Sequence, residues 1–238
     1  MCGPKRNEHT MSQQEKAASE LTGCIRCGTC CSGGGPALHR DDLPLVKING
    51  VLGWENLVTY RAGELVHDNV KGGLTCLDRE MVKVRPAPEG PVCIFYDKAL
   101  CGCSVYPSRP LECRVLKCWD TRRIEEVYSK ERLVRRDILQ DSKALLQLAH
   151  EHEKRCSHVQ LKQLTQRQDL DWEKKAQQIV DMISTDMAVR ELVVQKAGLN
   201  LAVLDFVFGR PLLQTLAQYG LSCERTNQGW KLEALKHP

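Results

Sequence analysis

Cys24-Ile25-Arg26-Cys27-Gly28-Thr29-Cys30-Cys31, followed at once by Ser32-Gly33-Gly34-Gly35-Pro36, decides how the rest of this chain is read. Four thiols fall within eight residues, a density that no apolar core requires. Cys24, Cys27 and Cys30 recur with two residues between them and can curl around one centre. The glycines remove side chains that would crowd that centre and let backbone N–H groups turn toward sulfur. This is the pattern of a metal or iron–sulfur site. Cys30 and Cys31 are adjacent, and the side chains of adjacent residues diverge. One of the pair is therefore expected to point to a second centre or to stand apart as a reactive thiol.

Working outward, the next thiols are Cys76, Cys93, Cys101, Cys103, Cys113 and Cys118. Cys101 and Cys103 are two apart and share a face if they lie on a strand. Cys113 and Cys118 are five apart, about 140° of rotation on an ideal helix. Either the helix ends between them or they serve different centres. The pattern favours two adjacent metal sites, or one polynuclear site, over an isolated tetrathiolate. Zinc usually takes paired CxxC knuckles at tetrahedral geometry. The ferredoxin run C-x2-C-x2-C-x3-C-P matches at Cys24, Cys27 and Cys30 and departs at Cys31. Soft thiolate donors suit both metals, and the balance leans to an iron–sulfur cluster over Zn2+. Arg26, Arg109, Arg114 and Lys117 would offset the negative charge of either centre.

Composition narrows the setting. The chain has 238 residues, 27% of them charged, and a net charge of +4. That is an ordinary globular balance, which demands neither nucleic acid nor an anionic membrane as partner. Residues 1–20 are polar and charged, read as a disordered lead-in without a signal-peptide core. The longest apolar stretch, Leu199 to Phe208, is too short to span a bilayer and contains Asn200 and Asp205. Thirteen cysteines without a secretory signal point to a reducing cytoplasm, where thiols bind metals or react.

The expected fold class is α+β. A loop-rich cysteine domain over 21–120 would carry short helices and a hairpin, and a mostly helical region would follow over 121–238. Asp41 or Asp42 should cap a helix through Leu43, Leu45, Val46 and Ile48, stopped by Asn49-Gly50. Trp54 to Tyr60 reads as a short helix or a loop. Glu80 to Arg85 alternates like a strand. Val92 to Tyr96 and Gly102 to Tyr106 read as the arms of a hairpin, and Pro110 opens a helix running to about Trp119. Trp172 to Met187 is amphipathic, with Asp169 or Asp171 as its cap and Gly198 closing it or its continuation. Leu221 to Leu232 reads as a terminal hairpin turning at Asn227-Gln228-Gly229.

Taken together, Cys24-x2-Cys27-x2-Cys30-Cys31, Cys93-Ile94-Phe95 and Cys103-Ser104-Val105-Tyr106-x2-Arg109-Pro110-x2-Cys113-Arg114-x3-Cys118 resemble the YkgJ-type cysteine-cluster family. That family is described as zinc- or iron-chelating, with eight characteristic cysteines. The resemblance covers about residues 20–120 and implies Cys24, Cys27, Cys30, Cys31, Cys93, Cys103, Cys113 and Cys118 as metal ligands. Cys76 and Cys101 lie outside the pattern, as extra ligands or bystanders. A flagellin lysine N-methylase carries a similar cluster, so the resemblance admits a protein-modifying enzyme and leaves enzyme status open. Gly33-Gly34-Gly35 follows a cysteine run and no strand, which is the wrong context for a nucleotide loop.

Other residues have plainer readings. Arg109 is either a partner that steadies the ligands or a surface arginine before a helix. Asp41 and Asp42 are read as a helix cap before a catalytic base. Cys2, Cys156 and Cys223 are isolated and read as ordinary thiols. His150, His152, Cys156 and His158 tempt a metal reading, but the charged residues among them favour a solvated helix face. The expected function is a metal-binding protein with one or two cysteine-ligated centres, in electron transfer or a redox-dependent reaction. The alternatives are a structural zinc module whose helical region meets a protein partner, and a metal-dependent modifying enzyme.

Overall fold

The computed structural model describes residues 23–47, 50–227 and 229–235. The lead-in over 1–20, and Ile48 and Asn49 at the expected end of the first helix, lie outside the described residues. In chain order the elements are α1 (Thr29–Ser32), α2 (Leu43–Lys47), β1 (Leu57–Tyr60), β2 (Leu65–His67), β3 (Leu74–Cys76), β4 (Met81–Val84), β5 (Tyr96–Asp97) and β6 (Gly102–Cys103). Then come α3 (Leu111–Val115), α4 (Arg122–Val127), α5 (Arg135–Leu139), α6 (Lys143–Arg155), α7 (His158–Gln166), α8 (Trp172–Ala197), α9 (Leu201–Val207), α10 (Leu212–Thr215), β7 (Leu221–Thr226) and β8 (Gly229–Ala234). The strands pair as β1–β4, β2–β3, β5–β6 and β7–β8. The fold is α+β, with short strand pairs and a helical C-terminal region. Among the described residues no helix is long and apolar enough to cross a membrane.

The chain divides into two compact units, and not by a single cut. A cysteine unit takes the described residues up to Asn56 together with Lys83–Leu133. A helical unit takes Leu57–Val82 and the residues from Val134 onward. The sequence places 57–82 with the cysteines by position alone; the structure groups this segment with the C-terminal helices.

The cysteine unit is built of short pieces. Its buried apolar residues include Leu38, Leu45, Leu52, Val84 and Leu133. A 3-10 turn, Arg40–Asp42, leads into α2. The Asp42 carboxylate accepts from the His39 N–H at 3.0 Å, so it closes that turn as a cap. The hairpin around Cys103 forms as read, but its ladder holds only Tyr96↔Cys103 and Asp97↔Gly102. The Asp97 side chain accepts from the Ala99 and Leu100 N–H groups at 2.7 and 3.0 Å, which turns the chain early. The helix after Pro110 stops at Val115 instead of Trp119, so it ends between Cys113 and Cys118.

The helical unit has a continuous core. Leu161, Ile179, Met182, Ile183, Leu212, Leu216 and Leu232 cluster there with Cys156. Its longest element, α8, starts where Asp171 accepts from the Lys174 N–H at 2.9 Å and ends at Gly198 with φ 63°. Trp54 to Tyr60 is neither helix nor loop throughout: Trp54–Asn56 is a 3-10 turn and Leu57–Tyr60 is the strand β1. Two β-branched residues, Val58 and Thr59, favour the strand. Thr59 then donates to the Phe206 carbonyl at 2.6 Å.

The reading of His152, Cys156 and His158 as a solvated face is corrected by the structure. All three are buried. His152 Nε2 bonds Asp186 Oδ1 at 2.7 Å. The same oxygen accepts from Arg190 Nε at 2.8 Å, and Asp186 Oδ2 accepts from the Leu212 N–H at 2.8 Å. Arg61, fully buried, donates to the Cys156 carbonyl at 2.8 Å, and its own N–H donates to Glu64 at 2.8 Å. Arg210 pairs with the other Glu64 oxygen. His158 Nδ1 meets the Tyr219 hydroxyl at 2.9 Å. Cys156 contributes apolar volume, and burial pushes its thiol up to about 12.

Candidate metal centre

The Cys24–Cys31 loop is shaped by its backbone. The Arg26 N–H points at Cys24 Sγ, 3.4 Å away, in the manner the glycine-rich loop suggests. Arg26 has φ 57° and Gly28 φ 80°. At Gly28 the absence of a side chain is required twice. The dihedral is left-handed, and a Cβ would lie 2.2 Å from the Tyr96 hydroxyl. The single turn α1 follows, closed by the Ser32 N–H and hydroxyl, both donating to the Gly28 carbonyl at 2.9 Å. Cys27 Sγ faces the Thr29 hydroxyl at 3.2 Å.

This loop is tied to the hairpin by the Cys93 N–H, which donates to the Cys31 carbonyl at 2.8 Å. Cys93 is buried; Cys31, Cys103 and Cys113 are half-buried, and Cys30 is exposed. These five thiols lie close enough for their charges to act on one another. Cys31 is raised by Cys93 and Cys113, Cys93 by Cys103 and Cys30, and Cys113 by Cys93, Cys103 and Cys30. Burial is the first cause at Cys93 and Cys113.

The adjacent thiols Cys30 and Cys31 act on one another. That interaction lowers Cys30 to about 6 against the effect of burial, with help from the Arg109 guanidinium. Cys31 is pushed up, by Cys30 first and then by burial.

Arg109 lies beside this group. Its Nε donates to the Tyr106 carbonyl at 2.9 Å, and its guanidinium stacks 3.6 Å from the Tyr106 ring centre. Arg26 stacks on the same ring at 4.3 Å. Neither arginine has a carboxylate partner among the described residues, so both charges remain for a thiolate centre.

The remaining candidates have other contacts. Cys24 and Cys27 have the local contacts given above. Cys118 is exposed, beyond the end of α3, in the turn closed by Lys117 and Asp120. Cys76 belongs to the helical unit, where its thiol donates to the Gly63 carbonyl at 3.4 Å. Cys101, with φ 48°, is disulfide-bonded and offers no free thiolate. Among the described residues no three or more His, Cys, Asp or Glu side chains are closed into ligating geometry. The donor set still fits a soft metal: five sulfurs in one neighbourhood, one already near thiolate, and two free guanidinium charges beside them.

Sequence reading overlooked His39 and Glu112 and half the role of Asp42. Buried His39 and Asp42 and half-buried Glu112 form a polar cluster against α3. Asp42 has the cap signature that was read for α2, but nothing local announces that it also accepts from the Leu111 N–H at 2.7 Å.

A short-element unit that gathers sulfur donors in preference to an apolar core is a cysteine-based metal-chelating domain. Residues 23–132 match the CxxCxxCC family, described as a "Putative zinc- or iron-chelating domain", and this part of the chain is similar to that family. The match contains all eight of the sequence-read cysteines. No curated protein and no solved structure matches the chain.

Proposed function

We propose that the cysteine unit holds one or two thiolate-ligated centres and that these are iron–sulfur clusters. The carrying observation is the tie that brings the Cys24–Cys31 loop to the hairpin: the Cys93 N–H donates to the Cys31 carbonyl at 2.8 Å, and Tyr96, three residues on, pairs with Cys103. It gathers sulfur from three separate stretches of chain, and both ring nitrogens of the nearby His39 are engaged elsewhere. An all-sulfur donor set suits iron–sulfur clusters and zinc tetrathiolates, and disfavours mixed imidazole sites. Cys24, Cys27 and Cys118 complete the set of eight. A bound cluster would supply one-electron transfer, or reducing power for a modification reaction.

The second reading is structural zinc, favoured by the brevity of every element in this unit. Anaerobic purification separates the two. Brown protein with visible absorption, iron and acid-labile sulfide is the expected result. Colourless protein with stoichiometric zinc refutes the cluster and leaves the structural reading.

A further inference from the structure

His39 and Asp42, both buried, and the half-buried Glu112 make a polar cluster at the foot of the helix that carries Cys113. Asp42 Oδ1 accepts from the Leu111 N–H at 2.7 Å, at the first turn of α3. Glu112, one residue before Cys113, sends Oε2 to the Ala37 N–H at 2.7 Å and Oε1 to His39 Nε2 at 3.2 Å. His39 Nδ1 meets the Lys130 carbonyl at 2.6 Å.

Counting donors fixes the ring. A carbonyl can only accept, so Nδ1 carries a proton. Two facing lone pairs are excluded, so one proton lies between Nε2 and Glu112 Oε1; the Ala37 N–H on Oε2 favours the carboxylate, which puts that proton on Nε2. We infer that His39 is held as an imidazolium between Lys130 and Glu112, and that this charged clamp positions the Cys113 helix for metal binding. The inference rests on the reading of the cysteines as metal ligands. His39 is a positioning residue: it acts on α3 through Glu112 and touches no ligand.

The charges around the ring agree with this state. Glu112 faces it from α3 and Asp42 from its own turn. The positive groups near these acids are Arg114, 3.8 Å from Asp42, and Lys83, which feels the charges of Glu112 and Arg132. Arg132 also bridges to His39 through the backbone. Burial alone would lower the His39 pKa; the bonds to Glu112 and the Lys130 carbonyl outweigh it, and the net direction is upward. A raised histidine holds its clamp below that folded value and loses it as pH rises through it. Outer partners of this kind typically change metal affinity by about 10–100-fold.

The test uses the full chain. In metal-free protein labelled with 15N, imidazole correlations at neutral pH should show both His39 nitrogens protonated. A neutral ring, with Glu112 as the donor, overturns the clamp whether or not metal binds. Zn2+ and Co2+ are then titrated against a competing chelator in wild type, Glu112→Gln and His39→Gln, with circular dichroism as the folding check. The variants should bind about tenfold more weakly, and their deficit should shrink toward none as pH rises past the His39 titration. A deficit that ignores pH marks a merely structural role and overturns the inference, as does wild-type affinity in a folded variant. If Glu112→Gln does not fold, His39→Gln carries the same comparison. Wild-type protein that takes up neither metal refutes the metal reading itself, a result distinct from a neutral ring.

Discussion

Asp186 in the helical unit and Cys30 in the cysteine unit are both held toward their charged forms, but their partners differ. Asp186 is fully buried and receives His152, Arg190 and the Leu212 N–H. Its charge is met by other parts of its own unit. Cys30 is exposed, and its main partner is the thiol next to it. Sulfur is a weak acceptor, and among the described residues Arg26 and Arg109 wait on one ring without a carboxylate. The helical unit is electrostatically closed, whereas the cysteine unit is chemically poised. The lesson is that the second kind of arrangement makes sense only with a cation among its thiolates.

Removing metal should break this comparison open, and it carries the largest expected effect. Chelation under reducing conditions should strip hydrogen-exchange protection from residues 23–56 and 83–133. Helices α6 and α8 should keep theirs. Structural metals in small peptides contribute roughly 10–16 kcal/mol, and several kcal/mol are expected here, because Leu38, Leu52 and Leu133 already supply some core. Equal loss of protection in both units would show that the helical unit is not closed on its own. Because burial and neighbouring thiols hold Cys93 and Cys113 up as neutral thiols, metal uptake should also release protons.

The converse experiment is Asp186→Ala. It leaves His152 and Arg190 buried without their anion, at a cost of about 3–5 kcal/mol, while metal content should not change. Loss of metal in a folded Asp186→Ala protein would contradict the division of roles. The pH dependence sharpens this. Burial would raise the Asp186 carboxyl, but the His152 bond and the Arg190 charge hold it well below the usual range. A depressed carboxyl contributes stability above its unfolded value, near pH 4, that is lost as pH falls. His158 is lowered to about 2 by burial and by Arg61 and Arg210, and His152 is lowered mainly by burial. Both stay neutral in the fold and protonate in the unfolded chain below about pH 6.5. All three groups therefore weaken the helical unit in the same direction, and its midpoint in urea should fall steadily from about pH 6.5 downward. In Asp186→Ala the decline below about pH 4 should flatten.

What the sequence made legible is local. The Cys24–Cys31 run is legible because its spacing lies within one loop. Asp171 and Gly198 mark the ends of α8 because a cap and a left-handed terminator act over one turn of chain. The terminal hairpin is legible for the same reason, and β7 and β8 pair from Leu221↔Ala234 to Thr226↔Gly229. What stayed hidden is nonlocal. His152 and His158 are read against Glu151, Lys154 and Arg155, their neighbours in sequence, although their partners are Asp186 and Tyr219. Leu57–Tyr60 looks indecisive alone and becomes a strand through burial and its bond to Phe206. In the candidate site, the effect of Cys93 and Cys113 on Cys31 links separate stretches of chain and leaves no mark in the spacing of the Cys24–Cys31 run.

Two glycines give the finest version of the comparison, because both have left-handed backbones and differ only in surroundings. Gly198 closes α8 with φ 63°, and a Cβ there would meet nothing within 4 Å. Gly198→Ala should then cost only the backbone term, about 1–2 kcal/mol, seen as a small drop in the urea midpoint. Gly28 has φ 80° and would press a Cβ on the Tyr96 hydroxyl and ring. Tyr96 pairs with Cys103 across the hairpin, so strain at Gly28 should pass from the Cys24–Cys31 loop to a second ligand. Gly28→Ala should therefore reduce metal retention more than the same backbone term alone explains, and Gly28→Ala with Tyr96→Phe, which removes the clashing oxygen, should recover part of it. If Gly28→Ala and Gly198→Ala cost the same and metal retention is untouched, the loop is not pressed against the hairpin. In that case the thiols of Cys30 and Cys103 belong to separate centres.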